Sequence, residues 1–242
     1  MTRSYSRRRG VKAIFFDLDD TLYDYSSSSD YSKNKVFSWL LDKYPDLRRE
    51  DILSSYEKII RDAVKEEAKG SYGAWNRQKR FSKFLRYLGV KDDGLSMRLV
   101  TIFAEARTES SKPYPDAHDV LSKLREKYVL GIITNGPSVY QREEIKLLKL
   151  ETYFSHVLIS EEVGSRKPME EIFQTALKKV ACRPEEAVMV GDRLREDIRP
   201  AKKLGMGTVL LDTKNRFTKE DLVLEERPDY LIRQFTELLN LY

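Results

Sequence analysis

Residues 11–22 read VKAIFFDLDDTL, a short apolar run that leads into three acidic residues. The apolar part, residues 11–16, predicts a buried β-strand. A buried strand that runs into Asp17, Asp19 and Asp20 costs free energy unless a cation or a catalytic task uses the carboxylates. An isolated Asp-x-Asp is also typical of a turn or a helix cap, so these residues alone leave both interpretations open.

Other apolar, β-rich runs follow along the chain at 129–134, 156–160, 187–190 and 208–211. Amphipathic segments of helical length lie near them at 116–127, 140–150, 170–180 and 196–204. Strands that alternate with helices predict βαβ units and a parallel sheet, whose carboxyl ends meet at one edge and bind ligands there. We therefore predict an α/β fold with a Rossmann-like, doubly wound parallel sheet as its core.

The interval 25–112 differs, because it contains no comparable strand and helix-period segments dominate it at 32–43, 50–68, 78–88 and 95–110. Linker-like compositions border it, with four serines at 26–29 and SSKPYP at 110–115. We predict a disordered basic arm at 1–10, an α/β hydrolase core at 11–24 and 113–242, and an inserted helical cap domain at 25–112. A last helix at 233–241 is expected to pack on the core.

The net charge of +5 is concentrated at the N-terminus. Five of the 44 basic residues and no acidic residue lie in residues 1–12, so 39 basic and 39 acidic residues balance in the rest. A short basic tail is typical of a solvated arm, and we expect no nucleic-acid partner. No apolar run approaches the roughly 20 residues of a membrane span. The single cysteine, Cys182, is consistent with a cytoplasmic protein, expected as a monomer or homodimer.

Two further polar motifs follow predicted strands or precede a helix. Thr134, Asn135 and Gly136 end the second strand, where a hydroxyl and a glycine-assisted turn can offer donors to a phosphate. Lys167 stands before Pro168 at the edge of a loop, because proline keeps the preceding residue out of the next helix. Each motif is weak alone, since Asn-Gly is an ordinary turn and a single lysine is usually inert.

A fourth motif, Gly191-Asp192, follows the buried run 187–190, and Asp197 comes five residues later. Asp192 could complete an octahedral magnesium shell with Asp17, a backbone carbonyl and waters. Asp197 could brace Lys167 or hold a coordinating water, although acids near helix N-termini are also common. Four such motifs in this order, at one predicted sheet edge, indicate one active site.

The motifs resemble those of the haloacid dehalogenase superfamily, in its phosphatase branch with a helical cap inserted after the first motif. The resemblance spans residue 11 to about residue 212. It implies a nucleophile at Asp17 and a general acid/base at Asp19, with Thr21 and Asp197 in supporting positions. It further implies phosphate binding by Thr134, Asn135 and Lys167, and Mg²⁺ binding by Asp17, Asp19 (through its carbonyl) and Asp192. Serine is frequent in this branch where the chain has Arg193.

The resemblance implies a magnesium-dependent phosphatase that hydrolyses a small phosphate monoester (a triose, sugar or nucleoside phosphate) through an aspartyl-phosphate. A 2-haloacid dehalogenase on the same fold is disfavoured by the presence of both Asp19 and Asp192, because halide departs without protonation or magnesium. A phosphomutase would share these motifs but retain the phosphoryl group. A non-catalytic binding protein is the remaining alternative, and intact Asp17, Asp19, Lys167 and Asp192 argue against it.

Overall fold

The computed structural model describes residues 10–67, 72–218, 222 and 227–242, so residues 1–9 of the predicted basic arm lie outside it. The chain forms two compact units, one of Met1–Asp24 with Lys112–Tyr242 and the other of Tyr25–Ser111. The second unit is thus inserted in the sequence of the first. Its predicted role as a cap remains a prediction.

The unit Tyr25–Ser111 is helical in its described residues. Its helices are α1 (Tyr25–Lys43), α2 (Arg49–Glu67), α3 (Arg77–Tyr87) and α4 (Leu95–Ser110). Apolar residues at helical spacing meet in its interior, where the rings of Phe37, Tyr56 and Phe84 lie 5.3–6.0 Å apart. Edge-to-face contacts of this kind add stability beyond the area they bury.

The start of α1 differs from the prediction. The helix begins at Tyr25 and includes the serines at 26–29 that were predicted as a linker. Ser28 is buried, and its hydroxyl lies 2.6 Å from that of Ser110 and 3.0 Å from that of Ser111. The Ser32 hydroxyl donates to the Ser28 carbonyl at 2.9 Å. Because these hydroxyls find partners inside the helical unit, the serine run is helical and does not form a loop.

A parallel sheet forms the centre of the other unit. Its strands among the described residues are β1 (Ala13–Phe16), β2 (Val129–Thr134), β3 (His156–Ile159), β4 (Ala187–Gly191), β5 (Gly207–Leu211) and β6 (Tyr230–Ile232). They pair in the order β3-β2-β1-β4-β5-β6, always in parallel. The chain reverses its direction of winding at β1, which lies between β2 and β4. The predicted α/β fold with a parallel sheet is confirmed.

Helices cover this sheet and bury its central strand. The helices described in this unit are α5 (Ala117–Arg125), α6 (Ser138–Leu147), α7 (Ser160–Val163), α8 (Glu170–Lys179), α9 (Arg199–Lys203) and α10 (Leu238–Leu241). Phe15 of β1 joins a cluster with Phe173 of α8 and Ala201 of α9, whereas the neighbouring Phe16 contacts the rings of Phe154 and Phe235. Successive side chains of a strand point to opposite faces, so both faces of β1 are covered.

The C-terminal part also departs from the prediction. β6 was not predicted, and the predicted helix at 233–241 is replaced by a 3₁₀ turn at Phe235–Glu237 and the single turn of α10. The Glu237 carboxylate accepts the N–H groups of Arg233 and Gln234 at 2.8 and 2.9 Å, which ends β6 in a turn. The predicted helix at 196–204 is a π-helical turn at Leu194–Ile198 followed by α9. Pro200 has no N–H to donate to a preceding turn, which interrupts the regular helical ladder.

No helix among the described residues combines the length and the apolar character that crossing a membrane requires.

Candidate active site

The carboxyl ends of three neighbouring strands bring the predicted site residues together. Asp17 follows β1, Thr134 ends β2, and Asp192 follows β4. The N–H of Asp17 donates to the carbonyl of Val190 at 2.9 Å, so the β1–β4 pairing continues to the acid itself. The switch point of a doubly wound sheet is where such folds bind ligands.

Lys167 is the centre of a buried ion-pair network. Its Nζ lies 2.6 Å from Oδ1 of Asp17 and 2.6 Å from Oδ1 of Asp197, and its side chain is only 2% exposed. Burial alone would lower the pKa of this ammonium group, but the two carboxylates outweigh burial and raise the pKa above its ordinary value. Lys167 is therefore a permanent cation beside Asp17. Loss of one partner of a buried pair typically costs about 3–5 kcal/mol.

The side chain of Asn135 holds the backbone of Lys167. Its Oδ1 accepts the N–H of Lys167 and its Nδ2 donates to the carbonyl of Lys167, both at 2.9 Å. This reciprocal pair joins the loop after β2 to the loop that carries the lysine. Asn135 thus positions Lys167 in the structure, and its predicted role in phosphate binding remains a prediction.

Asp197 braces the lysine from the other side. It is fully buried, its Oδ1 accepts from Lys167, and its Oδ2 accepts the N–H of Arg193 at 3.0 Å. A Cβ atom at Gly191 would overlap the Asp197 side chain, so glycine is required at the end of β4. The guanidinium of Arg193 pairs with Glu196 at 3.3 Å, beside the site.

The carboxylates can hold a metal ion. One oxygen each of Asp17, Asp192 and Asp197 lies within 4.8 Å of the other two. Asp192 is buried; its Oδ2 accepts from Arg216 at 3.0 Å, whereas its Oδ1 is buried with no hydrogen-bond partner in the described part of the chain. A buried carboxylate oxygen without a partner is costly unless a cation binds it. All-oxygen donors of this kind suit Mg²⁺.

Hydrogen bonding separates the roles of the three acids. Both oxygens of Asp197 already accept hydrogen bonds, from Lys167 and from the Arg193 backbone. Oδ2 of Asp17 accepts a long contact of 3.4 Å from the buried Thr21 hydroxyl. Asp17 and Asp192 therefore offer the better metal donors, and Asp197 serves the lysine.

The electrostatics of the site favour the binding of a cation. Burial, with the charges of Asp17 and Asp197, raises the pKa of Asp192 to about 7. Burial, with Asp197 adding to it and Lys167 opposing it, raises the pKa of Asp17 to about 6. Asp17 is thus mostly ionised at neutral pH, whereas Asp192 is only about half ionised. A bound cation would favour the ionised form of Asp192.

These shifts predict how the stability of the metal-free protein depends on pH. Asp17, Asp19 and Asp192 bind protons more tightly when folded than when unfolded, where the pKa of aspartate returns to about 4. Their contribution to stability is complete below pH 4 and is lost as pH rises through about 6–7. Lowering the pH from 7.5 to 5.5 in EDTA should increase the free energy of unfolding by roughly 3 kcal/mol.

Scanning calorimetry in EDTA at the two pH values measures this effect as a higher Tm at pH 5.5. Saturating Mg²⁺ should remove or reverse the difference, because the metal binds the ionised carboxylates. A metal-free protein that melts at lower temperature at pH 5.5 than at pH 7.5 would contradict the raised pKa values.

Asp19 belongs to a different set of contacts. The Tyr23 hydroxyl donates to its Oδ1 at 2.7 Å and Nε2 of Gln141 lies 3.3 Å from its Oδ2. Burial and the nearby Asp17 charge raise the pKa of Asp19 to about 6. A carboxyl with a pKa near neutrality can both give and take a proton. Its carboxylate is not one of the three clustered ones, so the predicted metal contact through its carbonyl remains a prediction.

Thr134 ends β2 with a buried hydroxyl. Its Oγ1 has no hydrogen-bond partner within the described residues. A buried hydroxyl without a partner is an unsatisfied donor, and it could donate a hydrogen bond to an oxygen of a bound phosphate. This geometry is compatible with the predicted phosphate-binding role, which no contact in the structure tests.

Sequence reasoning missed three residues that touch the site. Tyr23 and Gln141 bond to Asp19, and Arg216 donates to the carbonyl and to Oδ2 of Asp192 at 2.9 and 3.0 Å. The buried carboxylate of Asp212 accepts the N–H groups of Arg216 and Phe217, which holds this loop after β5. Only Tyr23 had a local signal, since it lies four residues from Asp19.

Comparisons with known proteins agree with this geometry. The family described as haloacid dehalogenase-like hydrolase matches residues 11–205. Two relatives are named glyceraldehyde 3-phosphate phosphatase. The relative from Pyrococcus furiosus is 36% identical, and the match covers 96% of this chain and 92% of the relative. The relative from Methanopyrus kandleri is 32% identical, and the match covers 95% of this chain and 96% of the relative. A crystal structure of a phosphatase with the same type of fold, from Thermococcus onnurineus, is 28% identical with a TM-score of 0.70, over 95% of this chain and 97% of its own.

Proposed function

Because the chain belongs to the haloacid dehalogenase-like hydrolase family, we propose that it is a magnesium-dependent phosphatase acting through an aspartyl-phosphate on Asp17. The observation that carries the proposal is the buried contact of Lys167 with Asp17, together with Oδ1 of Asp192, which has no hydrogen-bond partner among the residues that the structure describes. A nucleophile, a fixed cation and a metal donor then share one sheet edge. Phosphoryl transfer needs this set, since positioning and charge stabilisation supply most of its catalysis.

In the first step, a carboxylate oxygen of Asp17 attacks phosphorus and the bond from phosphorus to the leaving oxygen breaks. Asp19 gives its proton to that oxygen, so the product leaves as a neutral alcohol. Lys167 and the Thr134 hydroxyl would donate hydrogen bonds to phosphate oxygens. Mg²⁺, held by Asp17 and Asp192, would neutralise charge on the phosphoryl group.

In the second step, Asp19 is ionised and takes a proton from a water molecule that attacks the phosphorus of the aspartyl-phosphate. The bond from phosphorus to the Asp17 oxygen breaks, and inorganic phosphate and the free carboxylate result. A carboxyl group with a pKa of about 6 suits this alternation between acid and base. Throughout, Asn135 and Asp197 keep Lys167 in place by the contacts described above.

The alternatives on the same fold fit the site less well. A dehalogenase expels halide, which needs no proton donor, and would leave the Asp19 arrangement and the Asp192 oxygen without a task. A phosphomutase would use the same groups but return the phosphoryl group to its substrate. The released product therefore separates the three possibilities.

For the substrate, we propose a small phosphorylated metabolite, with a triose phosphate as the first choice. The support is the shared name of two relatives at 32–36% identity over nearly the whole chain. Sugar phosphates and nucleoside monophosphates are the next choices. A cytoplasmic location is proposed as well, with the unpaired Cys182 as its support.

A panel of phosphate esters tests the proposal. In Mg²⁺ buffer, glyceraldehyde 3-phosphate should release inorganic phosphate with a higher kcat/KM than hexose phosphates or nucleoside monophosphates. The same panel should include 2-chloropropionate with halide detection. Halide release without magnesium, together with no phosphate from any ester, would contradict the phosphatase proposal and identify the protein as a dehalogenase. Phosphate release that is best from another ester would change only the substrate.

A further inference from the structure

We infer that Tyr23 and Gln141 are positioning residues that hold the Asp19 carboxyl in the orientation needed for proton transfer. The inference rests on the proposed function, because it concerns the acid/base of that reaction. The two residues donate to different oxygens of the same carboxylate, at 2.7 and 3.3 Å. A carboxyl bonded at one oxygen can turn about its χ2 angle, whereas one bonded at both cannot turn without losing a bond.

Both donors are buried, so water does not readily replace them. Tyr23 is fully buried and Gln141 is 7% exposed. Loss of a donor in such a place leaves an acceptor that must be satisfied in another way, commonly by a change of orientation. The Asp19 orientation therefore depends on these two side chains.

The donors are themselves fixed by the backbone around the site. Nε2 of Gln141 also lies 2.8 Å from the carbonyl oxygen of Asn135, in the loop after β2. Gly136, with φ of +142°, follows in the same loop, and a Cβ atom there would lie 2.8 Å from Nε2 of Gln141. A side chain at residue 136 would therefore displace the amide. The backbone of Tyr23 forms bridges with Asp19 and with Pro113.

This arrangement links the acid/base to the phosphate side of the site. The loop that receives the Gln141 amide begins directly after Thr134, and Asn135 also holds Lys167. One short loop thus sets the position of the cation and, through Gln141, the orientation of Asp19. Positioning to within a fraction of an ångström is what proton transfer in the transition state requires.

Two substrates with different leaving groups distinguish a positioning role from a purely structural one, because a purely structural defect should lower kcat/KM equally for both. An alkoxide leaving group needs the proton from Asp19, whereas p-nitrophenolate departs as a stable anion and needs it much less. The parameter kcat/KM covers only the steps up to transfer onto Asp17, so the shared second step does not obscure the comparison. Glycerol 3-phosphate and p-nitrophenyl phosphate are therefore the two probes.

The variants are Gln141→Leu and Tyr23→Phe, each of which removes one donor and retains most of the volume. Each variant should lower kcat/KM for glycerol 3-phosphate by on the order of tenfold, because general acid catalysis contributes about 10²–10⁴-fold and misorientation removes a part of it. Each should lower kcat/KM for p-nitrophenyl phosphate by less than about threefold. Tyr23→Phe differs from the natural residue by one hydroxyl and so keeps the test usable if Gln141→Leu folds poorly.

Arg142→Leu is the matched control on the same helix. Its guanidinium pairs with Glu162, and its side chain is 56% exposed. The ratio of the two kcat/KM values should stay at the natural level in this variant. Melting curves of all three variants check that they are folded.

The outcomes separate the inference from the function it rests on. An equal fall for both probes, or no fall in either folded variant, overturns the positioning role while phosphatase activity stands. A natural protein that releases phosphate from neither ester in Mg²⁺ overturns the phosphatase proposal and this inference with it. A selective loss with glycerol 3-phosphate supports both.

Discussion

The variant Asp17→Asn is expected to release no measurable phosphate while it folds like the natural protein. Asparagine keeps the shape of aspartate but cannot attack phosphorus, so turnover should fall by a factor on the order of 10⁴ or more. The fold should survive because burial already disfavours the charge of Asp17, whose pKa is raised to about 6. Lys167 also retains Asp197 as an ionic partner.

Phosphate release from glyceraldehyde 3-phosphate and p-nitrophenyl phosphate measures the activity, and a thermal melt measures the fold. Asp20→Asn is the matched control, an identical change three residues away in a carboxylate that pairs with Lys214 at 3.0 Å. Asparagine tolerates the left-handed backbone that Asp20 adopts, with φ of 60°. The control should keep most of the activity.

Borohydride provides a second, chemical measurement. It reduces an acyl phosphate, so trapping during turnover should convert Asp17 of the natural protein into homoserine and change the mass of its peptide. Hydrolysis of p-nitrophenyl phosphate by Asp17→Asn at the natural rate would exclude the covalent mechanism. Reduction of a different residue would identify that residue, and not Asp17, as the nucleophile.

Removal of divalent metal by EDTA is expected to stop turnover, and added Mg²⁺ to restore it. The physical reason is the group of three buried carboxylates, whose charge Lys167 and Arg216 neutralise only in part, with one oxygen of Asp192 lacking a partner among the described residues. Without a divalent cation, a phosphate dianion would enter a site of net negative charge. A direct electrostatic penalty of that kind opposes both binding and transfer.

Calorimetric titration of the metal-free protein with Mg²⁺ gives a readout that does not depend on activity. Asp192→Asn should weaken Mg²⁺ binding by at least about tenfold, since loss of an outer-shell partner alone typically costs 10–100-fold. Asp20→Asn should bind Mg²⁺ as the natural protein does. Full activity in EDTA, or unchanged Mg²⁺ binding by a folded Asp192→Asn variant, would contradict the proposed metal site.

Much of the site was predictable because the signals that indicate it are local. Apolar runs that end in Asp17, Thr134 and Asp192 predict strands with polar ends, and the pairing order places β2, β1 and β4 side by side. Parallel strands linked by right-handed crossovers present their carboxyl ends at one edge, so neighbouring ends meet there. The contact of Lys167 with Asp17 and Asp197 then completes a cluster whose members lie up to 180 residues apart in the sequence.

Features without a local signal were missed or misinterpreted. The serines at 26–29 resemble a linker, yet they are helical because Ser28 bonds with Ser110 and Ser111, which lie more than 80 residues later in the sequence. The strand β6 has only three residues and exists through its pairing with β5. Such elements depend on contacts formed by distant parts of the chain, which local composition does not contain.

By itself, the sequence determined the parallel α/β core, the helical insertion, the acids at the strand ends and the lysine in the loop before α8, because periodicity and charge are properties of short segments. Only the tertiary structure decided how these groups are held. Asn135 turned out to bond the backbone of Lys167, Gln141 reaches Asp19 from 122 residues away, and Arg216 occupies one oxygen of Asp192. Hydrogen bonds of this kind depend on ångström-scale positions in three dimensions, and those positions arise only when the separate segments pack together.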